Sequence, residues 1–321
     1  MGFNEVMNID RAVQKVDAWH QKRPAISFLY AVVKKYGEDN GGYQAALLTY
    51  YGFLSLFPLL LVMVTVLQLW FHNDPTVQQE VSTSVGHFFP LLGQQLQHQI
   101  HGMRGAGVGL VIGVLITIYG ARGAADAFRF ALDNMWQVPK NKRAGFPKNI
   151  LRSLAILCAG LAGFGATAAV SAFTASLGHS VWTKILANIL GFLILTFVLG
   201  YAYRIATSGR IRYRFMLLGA SIAAFIVQLL LSFGGVLLSH ELQRLDGVYG
   251  TFAIVLGLFF WMYLLAQVVI YAAEIDTVRH FGLYPRSLSG KLRTDADKHA
   301  YRLYAQSEKY IEKENIGVRF R

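Results

Sequence analysis

The chain has 321 residues, 54% of them hydrophobic and 15% charged, with a formal net charge of +12 and a mean hydropathy of +0.40. Soluble chains carry about 25% charged residues, so this one is either a membrane protein with a charged side or a nucleic-acid binder with a large core. One cysteine, Cys158, excludes an intramolecular disulfide framework and a cysteine-based zinc site, and seven prolines among long apolar runs exclude a mostly disordered chain.

Residues 1–46 form a polar arm without the short apolar core and small-residue cleavage site of a secretory signal, so the first span is expected to direct insertion. Ala12, Val16 and Trp19 recur at helical spacing, and Ile26, Phe28, Leu29, Val32 and Val33 follow Pro24, with Lys34 and Lys35 beyond. The pattern suits amphipathic helices at the membrane boundary with lysines among the headgroups, and equally a helix packed on the ends of a bundle. The run from Gly37 to Gly42 marks a turn.

Six stretches, 47–70, 105–121, 151–173, 181–203, 215–239 and 248–273, are apolar enough to span a hydrocarbon core of about 30 Å, which takes about 20 helical residues. Lys and Arg alternate across the intervening segments as 6, 1, 7, 1, 4, 1 and 10, which puts 27 of the 30 on one side. The positive-inside rule then places both termini in the cytoplasm. The expected fold is an all-α integral membrane protein: six transmembrane helices in residues 47–273, amphipathic N-terminal and C-terminal cytoplasmic helices, and a basic tail from 274 to 321.

In the first span, Pro58 removes a backbone hydrogen bond, so a kink or break is expected there. Thr49, Tyr50, Tyr51 and Ser55 either re-satisfy the freed groups or line a polar pocket, as in broken transporter helices. The external loop 71–104 holds His72, His87, His98 and His101; His98 and His101, at i and i+3, are the only metal candidates and lack a third ligand. A wet amphipathic helix is the default for that loop.

Past the second span, Arg122, Asp126, Arg129 and Asp133 fall on one helical face with alternating sign, near the inner interface. They read either as local ion pairs or as a functional cavity lining, because charge at membrane depth is expected to face protein or a wet cavity. In the sixth span, Tyr263 and Gln267 lead to Glu274 and Asp276, two acids on the unfavourable end of the helix dipole. Arg122, Arg129 or Arg204 are their expected partners. Gly105, Gly109 and Gly113, and Ala155, Ala159 and Gly163, form small-residue ridges that permit close helix contact within a chain or between copies of a homo-oligomer. The tail, with ten basic and five acidic residues after residue 278, suggests a mixed-charge helix after Thr294 that meets anionic headgroups; nucleic acid is not needed.

Three stretches together, TYYGFLSLFPLLLV, YGARGAADAFRFALDNMW and YGTFAIVLGLFFWMYLLAQVVIYAAEIDTV, resemble the YihY/BrkB family of bacterial inner-membrane proteins, in particular its YhjD-like branch. The resemblance covers residues 20–285 and implies six spans, cytoplasmic termini, and a role in envelope integrity or in transport of lipid or lipopolysaccharide precursors. Pro58, Arg122, Asp126, Arg129 and Glu274 match its motif positions. The family once carried a ribonuclease label; no metal-hydrolase cluster, nucleophile with base, Walker loop or dinucleotide fingerprint supports an enzyme here, and no cofactor is expected. Two readings follow: a protein that handles an amphiphilic anionic lipid, with arginines on the headgroup and a kinked first helix as gate, and a non-transporting membrane scaffold. A third, an ion-coupled small-solute transporter, needs a titratable group near the midplane, where the spans offer the amides Gln68, Gln228 and Gln267.

Overall fold

The computed structural model describes residues 15–70, 122–176, 180–249, 252–288 and 294–320, which are helical with no strand. In chain order the helices are α1 (15–21), α2 (Pro24–Glu38), α3 (Gly41–Trp70), α4 (122–135), α5 (Lys148–Ser176), α6 (Val181–Ala206), α7 (Leu217–Tyr249), α8 (Phe252–Phe281) and α9 (Asp295–Ser307). The second expected span, 105–121, with its glycine ridge, and the loop histidines His98 and His101 lie outside the described residues. Three of the helices have segments long and apolar enough to cross a membrane, Lys148–Thr167, Val181–Ala206 and Val255–Phe281, and α7 adds a shorter apolar stretch, Leu217–Phe233. Their outward faces carry large exposed apolar side chains, among them Leu151, Leu161, Trp182, Phe197 and Phe225, a surface suited to lipid and costly in water.

α8 is the hub. It packs on α7, α3 and α2, and the chain of contacts continues from α7 to α6 and from α6 to α5. α4 fills the space at one end: Phe128, Ala131, Leu132 and Met135 join Ala45 of α3, Ala202, Tyr203 and Ala206 of α6, Ala220 of α7, and Ala266, Ile270 and Ala273 of α8 in one buried cluster. The many alanines let five helices approach closely, and Tyr203 ties α6 to α8 by donating to the Val269 carbonyl at 2.7 Å.

Several expectations change. α3 continues through Pro58 to Trp70, so of the expected kink or break the break is absent; a proline interrupts one hydrogen bond, and the rest of so long a ladder holds the helix together. Thr49 and Ser55 bond backward to the Ala45 and Gly52 carbonyls, at 2.7 and 2.8 Å, so they serve the helix rather than a pocket. α8 runs two turns beyond residue 273 and ends on Arg279 and His280, so Glu274 and Asp276 lie within the helix and the basic pair meets its dipole. At the end of the alanine ridge, a β-carbon on Gly163 would lie 2.6 Å from Val198, which makes that contact an intrachain one between α5 and α6.

Gly219, in the first turn of α7, shows how tightly α7 meets α8. A β-carbon there would overlap the Ala272 carbonyl and the Asp276 carboxylate, while its N–H donates to Asp276 Oδ1 at 2.8 Å. Asp276 therefore caps the positive end of α7. Gly219→Ala is expected to cost about 1–3 kcal/mol through overpacking, read as a lower midpoint for unfolding in detergent.

The polar arm and the basic tail form one structure. Ala31 and Val32 of α2, Val278 of α8, Leu283 and Ala300 of α9 make a shared apolar core. α9 starts with a reciprocal capping box between Thr294 and Asp297.

Candidate functional site

The charges picked out along the sequence separate into distinct groups. On α4, Arg129 is buried and donates to Asp126 Oδ1 at 2.9 Å, to the Asn149 carbonyl at 3.2 Å, to Ser153 Oγ at 3.4 Å and to the Ala144 carbonyl at 3.4 Å. Ser153 in turn donates to Asp126 at 2.7 Å. Arg122 reaches Asp126 at only 3.5 Å and keeps 48% of its side chain exposed, which makes it the accessible cation of this group. Asp133, on the same helix, is occupied elsewhere: its oxygens accept the Ser208 N–H at 2.6 Å and hydroxyl at 2.8 Å. Burial pushes its carboxyl above the ordinary range, opposed by the Ser208 bonds and by Arg143 and Arg129.

Glu274 and Asp276 do not take the expected arginine partners. The last turns of α2 bring Lys35 against α8, where its ammonium binds Glu274 Oε2 at 2.8 Å, the Met135 carbonyl at 2.8 Å and the Asp39 carboxylate. Arg129 is turned toward residues 144–153 and Arg204 makes no ion pair among the described residues. Lys35 is fully buried, so it is not a headgroup lysine. Sequence does hold a sign of this: Ser27, Ala31 and Lys35 follow one another at i+4 spacing, two small residues and then a lysine on one stripe, and all three are buried.

A second buried group joins arm to tail. Arg286 grips Glu38 with Nη2 at 2.8 and 2.9 Å and Asp297 with Nε at 2.6 Å; Lys34 adds a bond to Asp297 at 3.2 Å, and Tyr304 donates to Glu38 at 2.6 Å. Asp17 of α1 accepts from the Ser287 hydroxyl and the Leu288 N–H. Burial pushes Asp297 upward, but Thr294, Arg286, Ser287 and Lys34 outweigh it and hold the carboxyl low; for Asp17, burial is likewise outweighed, by Leu288, Gln21, Ser287 and His20. Both acids have folded values below the unfolded one, so their contribution is complete above about pH 4 and is lost as pH falls through the folded values. Acidification is expected to free the tail, seen as lower protection of 295–307 from hydrogen exchange, relative to the intrinsic rates, at acid than at neutral pH.

Two cavities meet at α8. One, of about 420 Å³, lies at the α2–α3 turn and is lined by Tyr36, Gly37, Asn40, Gly41, Gly42, Tyr43, Ala46 and Tyr263. The other, of about 240 Å³, is an apolar groove between α7 and α8 lined by Ile222, Ile226, Leu264, Val268, Ala272 and Ile275 with Gln267 and Tyr271. Tyr36 and Tyr271 stack face to face at 3.9 Å, so one wall of each cavity is one ring of the same pair. Burial, with Tyr271, Tyr263 and Glu274 nearby, pushes the Tyr36 phenol up to about 12, so its hydroxyl stays a donor. Of the polar lining read from sequence, Tyr263 and Gln267 reach these cavities, whereas Ser55 bonds within its helix and Tyr50 is exposed, edge-on to Tyr51. Pro58 lies within α3. Among the described residues no group of three or more His, Cys, Asp or Glu is arranged to hold a metal.

Among the described residues, helices with segments long and apolar enough to cross a membrane and with lipid-suited outer faces mark a membrane protein. The chain belongs to the virulence factor BrkB family, whose model matches residues 32–289. It is 24% identical over 273 residues to the ribonuclease-like protein YfkH of Bacillus subtilis, covering 79% of this chain and 96% of that one. It is 24% identical over 278 residues to a UPF0761 membrane protein of Pseudoalteromonas atlantica, covering 84% and 91%. A UPF0761 membrane protein of Alcanivorax borkumensis is 23% identical over 261 residues, covering 78% of this chain and 59% of that protein. No solved structure matches the chain.

Proposed function

We propose that this protein is a non-enzymatic inner-membrane protein that handles an amphiphilic, anionic envelope lipid, with both termini in the cytoplasm. The observation that carries the reading is the pair of cavities divided by the Tyr36–Tyr271 stack: a cleft in which the Tyr36 and Tyr263 hydroxyls come close to Gly42, beside an apolar groove, suits one molecule with a headgroup and a chain. Arg122, exposed on α4, supplies a cation for an anionic headgroup. Arg129 is committed to its own neighbours and in this reading holds α4 in place. The one-sided charge supports cytoplasmic termini.

In liposomes, the reconstituted chain is expected to speed the flipping of a labelled anionic phospholipid above the protein-free rate. Ile226→Trp, which fills the groove, and Arg122→Ala should each slow it about tenfold, the loss of one contact worth roughly 1.4 kcal/mol. A wild-type rate equal to that of empty liposomes overturns transport. That result would favour the scaffold reading, which rests on how fully the internal charges are paired, Arg129 and Lys35 above all. The ribonuclease-like name of the Bacillus relative is set against this reading by one assay: purified protein should leave RNA intact.

A further inference from the structure

Lys35, Asp39 and Glu274 meet where α2 crosses α8, and the bonds around them leave one position unfilled. The ammonium has three protons and three acceptors: Asp39 Oδ2, Glu274 Oε2 and the Met135 carbonyl. Two of those acceptors are anionic, so the lysine is held charged. Asp39 Oδ1 accepts from Gln137 at 2.9 Å, and Glu274 Oε2 lies 3.0 Å from the Thr277 hydroxyl. Glu274 Oε1, on a side chain with no exposed surface, has no partner, and Asp39 lies within hydrogen-bonding reach of Glu274.

With both carboxyls ionised, this dry site would hold one uncompensated negative charge and an orphaned carboxylate oxygen. With one proton added, the cluster is neutral and the two acids can bond to each other. Two carboxylates forced into one site keep a proton between them for this reason. The other charged and titratable neighbours do not supply the missing cation. Glu38, beside Asp39, is taken by Arg286; Tyr304 donates to Glu38; Tyr36, whose phenol is pushed up by burial, and Tyr263 carry no cationic group. Burial also drives Asp39 above the ordinary carboxylate range, with Lys35 opposing it.

We infer that the Lys35–Asp39–Glu274 cluster is a proton-binding site in which the two carboxyls share one proton beside the ammonium. Its place gives it a consequence. It joins α2, the end of α4 and α8, and Tyr36, the next residue after Lys35, lines the cleft at the α2–α3 turn and feels the Glu274 charge. Losing the proton puts net charge into the joint that sets the cleft wall, so proton occupancy and the packing of α2 on α8 are coupled. The inference stands whether or not the cleft takes a lipid.

Infrared titration of the full chain in detergent tests it. Wild type is expected to show the carbonyl stretch of a buried protonated carboxyl at neutral pH, where exposed carboxylates are ionised. The band should weaken in Glu274→Gln and in Asp39→Asn and keep its intensity in Asp295→Asn, a fully exposed acid. A second readout follows from linkage. An acid pair that keeps its proton when folded stabilises fully below the unfolded pKa, and this stability is lost as pH rises through the folded value. The stability of Glu274→Gln should therefore fall less than that of wild type as pH rises from about 4. No protonated-carboxyl band in wild type at neutral pH, or a band whose intensity neither substitution lowers, overturns the inference; if Glu274→Gln does not fold, wild type and Asp39→Asn decide it.

Discussion

Replacing Lys35 with methionine is expected to lower the stability of the folded chain by about 3–5 kcal/mol, the usual cost of removing one partner from a buried ion pair. The side chain has no exposed surface, and its loss leaves Glu274 and Asp39 facing each other with no cation. Methionine keeps the volume and removes the charge, so packing accounts for little of the change. The Met135 carbonyl loses its donor as well. By contrast Lys34, one residue earlier and 14% exposed, shares Asp297 with Arg286, so Lys34→Met should cost under about 1.5 kcal/mol. Equilibrium unfolding in mixed micelles separates the two.

Arg286→Met is expected to act locally. Arg286 is the centre of the joint between arm and tail, holding Glu38 from α2 and Asp297 from the first turn of α9. Removing it leaves Glu38 with only Tyr304 and Asp297 with Lys34 and its capping bonds. About 3 kcal/mol lost from this joint corresponds to a roughly 100-fold rise in the open population of the tail. Limited proteolysis should then cut between α8 and α9 about that much faster, while the bundle, held by the alanine-rich core around α4, keeps its unfolding midpoint. Equal cleavage rates for variant and wild type would mean that the tail is held by its apolar contacts, Leu283 and Ala300 against Ala31 and Val32, and not by the arginine.

Much of the architecture was legible because apolar runs report helices directly. The stretch 181–203 reappears within α6 and 151–173 within α5, each a few residues longer at the ends, where polar residues such as Lys148 and Arg204 extend a helix that hydropathy alone stops short. The helical grouping of Arg122, Asp126 and Arg129 was also readable, since i, i+3 and i+4 contacts depend on spacing alone. What spacing does not carry is the partner of a charge far along the chain. Glu274 and Lys35 are 239 residues apart, and a rule that counts lysines per segment treats Lys35 as one more cytoplasmic charge. Counting the tail's ten basic residues likewise does not show that Arg286 is fully enclosed or that Lys140 of the α4–α5 connection pairs with Glu308 of the tail. Part of the positive charge of this protein thus closes the arm and tail onto the bundle by pairing.

The claim that these charges act through each other is tested most directly by a mutant cycle between Lys35→Met and the pair Asp39→Asn with Glu274→Gln, measured by equilibrium unfolding in mixed micelles at neutral pH. The structure predicts coupling: with both acids already neutral, the loss of Lys35 should cost at least about 1.5 kcal/mol less than it does in wild type. Costs that add to within about 0.5 kcal/mol would contradict it, and would return Lys35 to the membrane surface.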